Sequence, residues 1–325
     1  METQIEDTNK YPLTFEEATF RKNELVSEKN EYFIHYDLLL TLRKSTDLFN
    51  NSSEENKSFK AKEFEGRMKT TFNYHPKTDK DLFFNYHGQV YSVVINGKQT
   101  EVNHKTRRIF IKKTDLRVGE NNEVVILFSS SYGHSGAGLH QFIDPSDKKE
   151  YLYTQFEPFE CNTVFPVFDQ PDLKATLNMS ICGSKEWVLL SNEMDILNKD
   201  IENIFPADKI SDNDREEFNK NYKEFLGLND QEGNFLFGSI CGKDYKITAF
   251  NKTEKISSYL FALCAGPFSC HIDNSNYKVP LRIFMRESLK DCGNPEEFFK
   301  ITIAGMEWYH KFFGHPYPFR KYDQI

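Results

Sequence analysis

The stretch E-Y-L-Y-T-Q-F-E-P-F-E-C-N-T-V-F-P-V-F-D-Q-P-D-L-K-A runs from Glu150 to Ala175. It opens with an apolar/polar alternation over Tyr151, Leu152, Tyr153 and Thr154, the period of a β-strand. Gln155 and Glu157 follow, and then aromatics punctuated by Pro158, Pro166 and Pro171. Proline donates no ladder hydrogen bond and does not fit inside a helix. The chain must therefore leave its strand near Pro158 and continue as a constrained loop. Phe156, Phe159, Phe165 and Phe168 are too many rings for a solvated loop, which predicts that they pack it down. A stiff loop that displays one carboxylate and one carboxamide suits ligand recognition. The plainer alternative is a crossover between two sheets with Glu157 merely exposed, as most carboxylates are.

Outward from this stretch, the chain of 325 residues is long enough for two domains and a sizeable core. Its net charge of −8 argues against a nucleic-acid surface. The aromatic content of 15%, with 30 Phe and 16 Tyr, points to ring-filled β-layers. The first residues are polar and acidic, with no basic and apolar leader. No run of 18 apolar residues is present, so no membrane partner is expected, and the expected compartment is cytoplasmic. The six cysteines are irregularly spaced, which predicts reduced thiols rather than disulfides or a zinc knuckle.

Towards the amino terminus, Thr14 followed by Glu16 and Glu17 reads as a capped helix running to about Ser27. From Tyr32 the period becomes two. Strands are predicted over Tyr32–Leu38, Phe59–Tyr74, Leu82–Tyr86, Val90–Ile95, Arg108–Ile111 and Val124–Phe128. Asn96-Gly97 is a tight-turn signal between two of them. This spacing predicts stacked antiparallel sheets. Gly133 to Gly138 is glycine-rich but lacks the Gly-Lys-Ser/Thr ending of a phosphate loop. His134 and His140 have no metal-ligand spacing and read as loop histidines.

Beyond the opening stretch, strands are predicted over Ala175–Ile181 and Trp187–Ser191. The chain is then charged from Glu193 to Gly233, which reads as a solvated excursion with a helix from Asp212 to about Phe225. Strands resume over Phe235–Ile240, Tyr245–Asn251 and Tyr259–Ala265. Val279–Met285 is a further strand. Asn294-Pro295-Glu296-Glu297 opens a helix, and Gly314 closes it. Phe298, Ile301, Ile303, Ala304, Met306, Trp308 and Phe312 form a broad apolar stripe on that helix, read as core.

Several of these segments together resemble the M1 family of zinc aminopeptidases. They are T-Q-F-E-P at 154–158, F-P-x-F-D-x-P-x-x-K-A at 165–175, the L-T-x-E-E-A opening, and Y-P-F-x-K-Y-D-Q at 317–324. The stretch from Gly136 to Phe142 and the run from Ser257 to Phe268 match as well. The resemblance covers the chain from about Leu13 to Ile325 and is strong with the bacterial-type aminopeptidase N subgroup.

It implies a mainly β fold: a saddle-like antiparallel β-sandwich, followed by the first strand and helix of a thermolysin-like α/β catalytic domain. The implied division is a helical extension over 1–30, the β-domain over 31–270 with an insertion at about 193–233, and the start of the catalytic domain over 271–325. It also implies that Glu157 binds the free α-amine of a peptide substrate, with Gln155 as a secondary contributor. A carboxylate meets both the charge and the donors of an ammonium group.

The family's zinc, held by two His and one Glu, activates a water and polarises the scissile carbonyl. Its H-E-x-x-H and G-A-M-E-N motifs are absent from these 325 residues. The expectation is therefore a fragment or truncated product, with no catalytic residue, no metal ligand and no bound zinc of its own. Its expected partners are peptides with a free amino terminus and the remainder of a catalytic domain. The alternative is an inactive paralogue serving as a peptide- or protein-binding module. One departure from the family pattern is Thr163, where an arginine usually stands before F-P-x-F-D. This puts the local loop geometry in question.

Overall fold

The structure is a computed structural model that describes residues 12–45, 63–200, 227–237 and 244–325. The helix expected from Asp212 to Phe225 and the sixth cysteine, Cys241, lie outside the described residues.

The chain begins with α1 (Phe15–Leu25), closed by a capping box at Thr14: its hydroxyl accepts from the Glu17 amide, and the Glu17 carboxylate accepts from the Thr14 amide. Then come β1 (Ile34–Thr41), β2 (Glu63–Asn73), β3 (Leu82–Asn85), β4 (Gln89–Ile95), β5 (Lys98–Thr100), β6 (His104–Lys105), β7 (Arg108–Ile111) and β8 (Asn121–Ser131). The next group is β9 (Gly138–Ile143), β10 (Glu150–Gln155), β11 (Thr176–Ser184), β12 (Val188–Ser191), β13 (Asp195–Asp200), α2 (Asp230–Phe237), β14 (Tyr245–Phe250) and β15 (Leu263–Gly266). The last group is β16 (Phe268–Ile272), β17 (Leu281–Arg286), α3 (Pro295–Phe313) and β18 (Tyr322–Gln324).

The fold is mainly β. One eight-stranded sheet has the order β13-β14-β11-β1-β2-β8-β4-β5. A four-stranded sheet, β12-β15-β10-β9, and a three-stranded sheet, β3-β7-β6, accompany it. All pairings within these sheets are antiparallel except β1 with β11. Alternation explains the layering: Ile34, Tyr36, Leu38 and Leu40 of β1 enter the main core, while His35 and Asp37 face outward to Thr176 and Asn178. The same core takes Met68, Phe72, Ile126 and Phe128 from the large sheet, Leu152, Leu263 and Ala265 from the four-stranded sheet, and Leu82 and Phe84 from β3.

A third unit, β16-β17-β18 with α3, has its own small cluster of Leu281, Ile283 and Phe299, with Ile303 and Met306 packed on it. No helix among the described residues is long and apolar enough to cross a membrane. The five described cysteines are free.

Four expectations need correction. The run from Glu193 is not a solvated excursion throughout, because β13 joins the edge of the large sheet by pairing with β14. Glu232 is buried and pairs with Arg67 at 3.1 Å, tying α2 to β2.

Phe235–Phe237 is helix, not strand. Asn229 and Glu232 exchange hydrogen bonds of 3.1 and 3.0 Å across the helix start, and Leu236 and Phe237 pack against Leu39, Cys182 and Ile247. Capping and tertiary packing outweigh the short apolar run.

Ser258–Leu260 forms a 3-10 turn, so the final strand of the four-stranded sheet starts only at Leu263. Asp169 holds Ser258, and Asn192 holds Leu260 and Ala262.

The stripe on α3 divides in two. Phe299, Ile303 and Met306 pack inward, while Ile301, Trp308 and Phe312 are 64%, 56% and 66% exposed. Gly314 closes α3 in the left-handed conformation, at φ 66°.

Candidate functional site

β10 lies between β9 and β15, and its end carries the two residues singled out by sequence. Gln155 pairs across the sheet with Gly138, and Tyr153 with His140. Tyr151, Tyr153 and Gln155 occupy alternate positions and so share one face. A groove of about 790 Å³ runs along that face. Tyr151, Tyr153 and Cys264 line it from the sheet, and Phe284, Met285 and Phe298 line it from the third unit. Gln155 lies roughly 7 Å further along the strand than Tyr153, from the rise per residue.

Gln155 and Glu157 are both exposed. Their geometry is coupled: the Glu157 amide donates to Gln155 Oε1 at 3.2 Å. No hydrogen bond or ion pair engages the Glu157 carboxylate among the described residues. The Glu157–Pro158 peptide bond is cis, which the sequence reading did not foresee. Behind this corner the loop is packed as its rings require, with Phe156, Phe165 and Phe168 buried and Phe159 half-buried.

The motif that follows turns inward. Phe168 stacks on Phe84 at 4.2 Å and meets Phe72 edge-on at 5.3 Å. Asp169 accepts hydrogen bonds from the Asn162 amide at 3.0 Å, the Asn162 side chain at 2.9 Å and the Ser258 hydroxyl at 2.7 Å. Burial pushes the Asp169 carboxyl up despite these donors. Gln170 accepts from Arg21 and donates to the Ala18 carbonyl, so the loop also grips α1. These residues brace the corner from behind and offer no ligand contact.

The Thr163 departure leaves the loop fixed by other means. Its hydroxyl donates to the Glu160 carbonyl at 2.7 Å, and its carbonyl accepts from Ser130. A side chain at Gly138, whose φ is 68°, would collide with the Thr163 hydroxyl at 2.5 Å, so the two positions fit one another. His140 accepts from the Gly136 amide at 3.0 Å and rests against Tyr153, 4.9 Å between rings. Among the described residues, no group of three or more His, Cys, Asp or Glu could hold a metal ion.

Comparison with known proteins agrees with this architecture. Residues 34–211 match the family described as the Peptidase M1 N-terminal domain. Aminopeptidase N of Streptomyces lividans is 30% identical over 239 residues, 73% of this chain and 22% of that protein. Aminopeptidase 2 of Candida albicans is 26% identical over 298 residues, 90% of this chain and 26% of that protein. A probable M1 family aminopeptidase of Encephalitozoon cuniculi is 28% identical over 206 residues, 63% of this chain and 19% of that protein. The chain thus spans about a quarter or less of the length of these relatives. With the family match extending over more than half of its residues, the chain belongs to the M1 aminopeptidase family, as an amino-terminal region of that family.

Proposed function

We propose that this region receives the free α-amine of peptide substrates at Glu157, with Gln155 beside it, as the amino-terminal portion of an aminopeptidase. The observation that carries the reading is an exposed carboxylate that no hydrogen bond or ion pair engages among the described residues, held on a corner braced by buried rings and by Asp169. An ammonium group supplies both a positive charge and three donors, and a preorganised carboxylate meets them at little ordering cost. Gln155 receives the Glu157 backbone amide through its side-chain oxygen, which steadies the carboxylate's own residue. The zinc step of such an enzyme would fall to residues outside this amino-terminal region, and the chain spans 22% and 26% of two relatives named as aminopeptidases.

The test compares binding of trialanine and N-acetyl-trialanine to the wild-type chain and to Glu157→Ala. Loss of a charge-assisted hydrogen bond should weaken trialanine about tenfold or more and leave the acetylated peptide unaffected. Equal binding of trialanine by both proteins would remove Glu157 from the role.

A further inference from the structure

The third unit stands on the four-stranded sheet through two polar posts. At one post, Asp144 accepts from Arg286 at 3.0 Å and from the Ser288 hydroxyl at 2.6 Å, while the Glu287 amide donates to the Tyr151 hydroxyl at 2.9 Å. This post is at the start of β10. The other is built on Lys321 and leads to the opposite end of β10, where Gln155 stands.

We propose that Lys321 is a positioning residue that sets the placement of the Gln155–Glu157 corner relative to the third unit. Its side chain is only 4% exposed. The ammonium donates to the Ser191 carbonyl at 2.7 Å and to Asp323 Oδ2 at 2.6 Å. Asp323 is itself gripped by Arg282 through two bonds of 2.7 and 2.8 Å. Ser191 ends β12, and its hydroxyl donates to the Ala262 carbonyl at 2.9 Å. The next residue, Leu263, donates its amide to the Thr154 hydroxyl at 2.9 Å, and that hydroxyl returns a bond of 3.3 Å to the Leu263 carbonyl. Thr154 precedes Gln155 directly. The contacts Lys321–Ser191–Ala262–Leu263–Thr154 thus form one continuous polar path from β18 to the corner.

A buried ammonium carries a large desolvation cost, and an apolar side chain of equal size would fill the same space without it. What the ammonium adds is direction: donors that must meet one carbonyl and one carboxylate fix the register between two sheets. The consequence for peptide binding rests on the amine reading of Glu157, whereas the path itself does not.

The experiment measures amide hydrogen exchange and trialanine binding for wild type and Lys321→Met. Exchange at Thr154, Glu157 and Leu263 should accelerate about tenfold or more, with β2 and β8 amides unchanged. Binding of trialanine should weaken in parallel. Ser191→Ala cuts the next link and should show the same pattern more mildly, which keeps the test available if Lys321→Met does not fold. Unchanged exchange at Thr154 and Glu157 in both variants would overturn the proposal. Accelerated exchange in a protein whose wild type ignores trialanine would uphold the path and overturn the amine reading instead.

Discussion

Arg21 and Gln170 are 149 positions apart in sequence and share a buried hydrogen bond of 3.1 Å from Arg21 Nε to Gln170 Oε1. The same guanidinium donates to Asn85 and to the Asp169 carbonyl, and it lies 5.2 and 5.8 Å from the rings of Phe83 and Phe168. Burial lowers its pKa to about 10, which still leaves it charged at neutral pH. The amino-terminal helix is thereby bolted to the loop that braces the Glu157 corner.

Arg21→Ala should therefore cost about 3 kcal/mol or more, because several buried acceptors lose their donor at once. The neighbouring Lys22, paired with Asp172 at 2.7 Å but about half exposed, gives the control. Its removal should cost about 0–1 kcal/mol. Urea denaturation of the two variants separates them, and equal costs would contradict the central role of Arg21.

Asp169 gives a pH signature. Its carboxyl is pushed above the usual 3.8, chiefly by burial and against the hydrogen bonds from Ser258 and Asn162. A raised carboxyl contributes stability that is fully present below its unfolded pKa and is lost as pH rises through the folded value. Asp169→Asn cannot undergo that loss, and its amide can keep one acceptor towards Asn162 while donating to Ser258. The melting temperature of Asp169→Asn relative to wild type should climb from pH 3 towards neutrality. A difference that stays flat across this range would show that Asp169 does not titrate upward.

The two faces of α3 should respond differently to truncation. Phe299 is 6% exposed and packs with Leu281 and Ile283, so Phe299→Ala should cost about 3–5 kcal/mol if the unit unfolds with the rest. Phe312 is 66% exposed and stacks on Trp308 at 4.8 Å. Phe312→Ala should stay within about 0.5 kcal/mol of wild type. Thermal melts of both variants check the assignment of the faces.

Local chemistry explains which elements were legible in the sequence. Thr14 and Glu17 form their capping box within four residues, and Asn96-Gly97 adopts positive φ values of 51° and 80° at the turn between β4 and β5. Both depend on neighbours in the chain, so both could be read from it. The misread elements depend on partners far away. The path of residues 235–237 is settled by Leu39, Cys182 and Ile247 on the outer face of the large sheet. The turn at Ser258–Leu260 is settled by Asp169 and Asn192. The buried side of α3 is settled by β17, and an apolar stripe wider than one face cannot say which side that will be.

The sequence by itself determined that this is a mainly β chain and that its strand at 150–155 ends in a stiff loop carrying Gln155 and Glu157. Periodicity, proline placement and turn chemistry carry that information locally. Only the tertiary structure decided that Asp169 and Gln170 face inward, while among the described residues no hydrogen bond or ion pair engages the Glu157 carboxylate. Only it brought Lys321 to the Ser191 carbonyl, across 130 positions of chain. Such contacts come from the register of separate sheets, which is set by how their buried faces pack and not by the residues beside them in sequence.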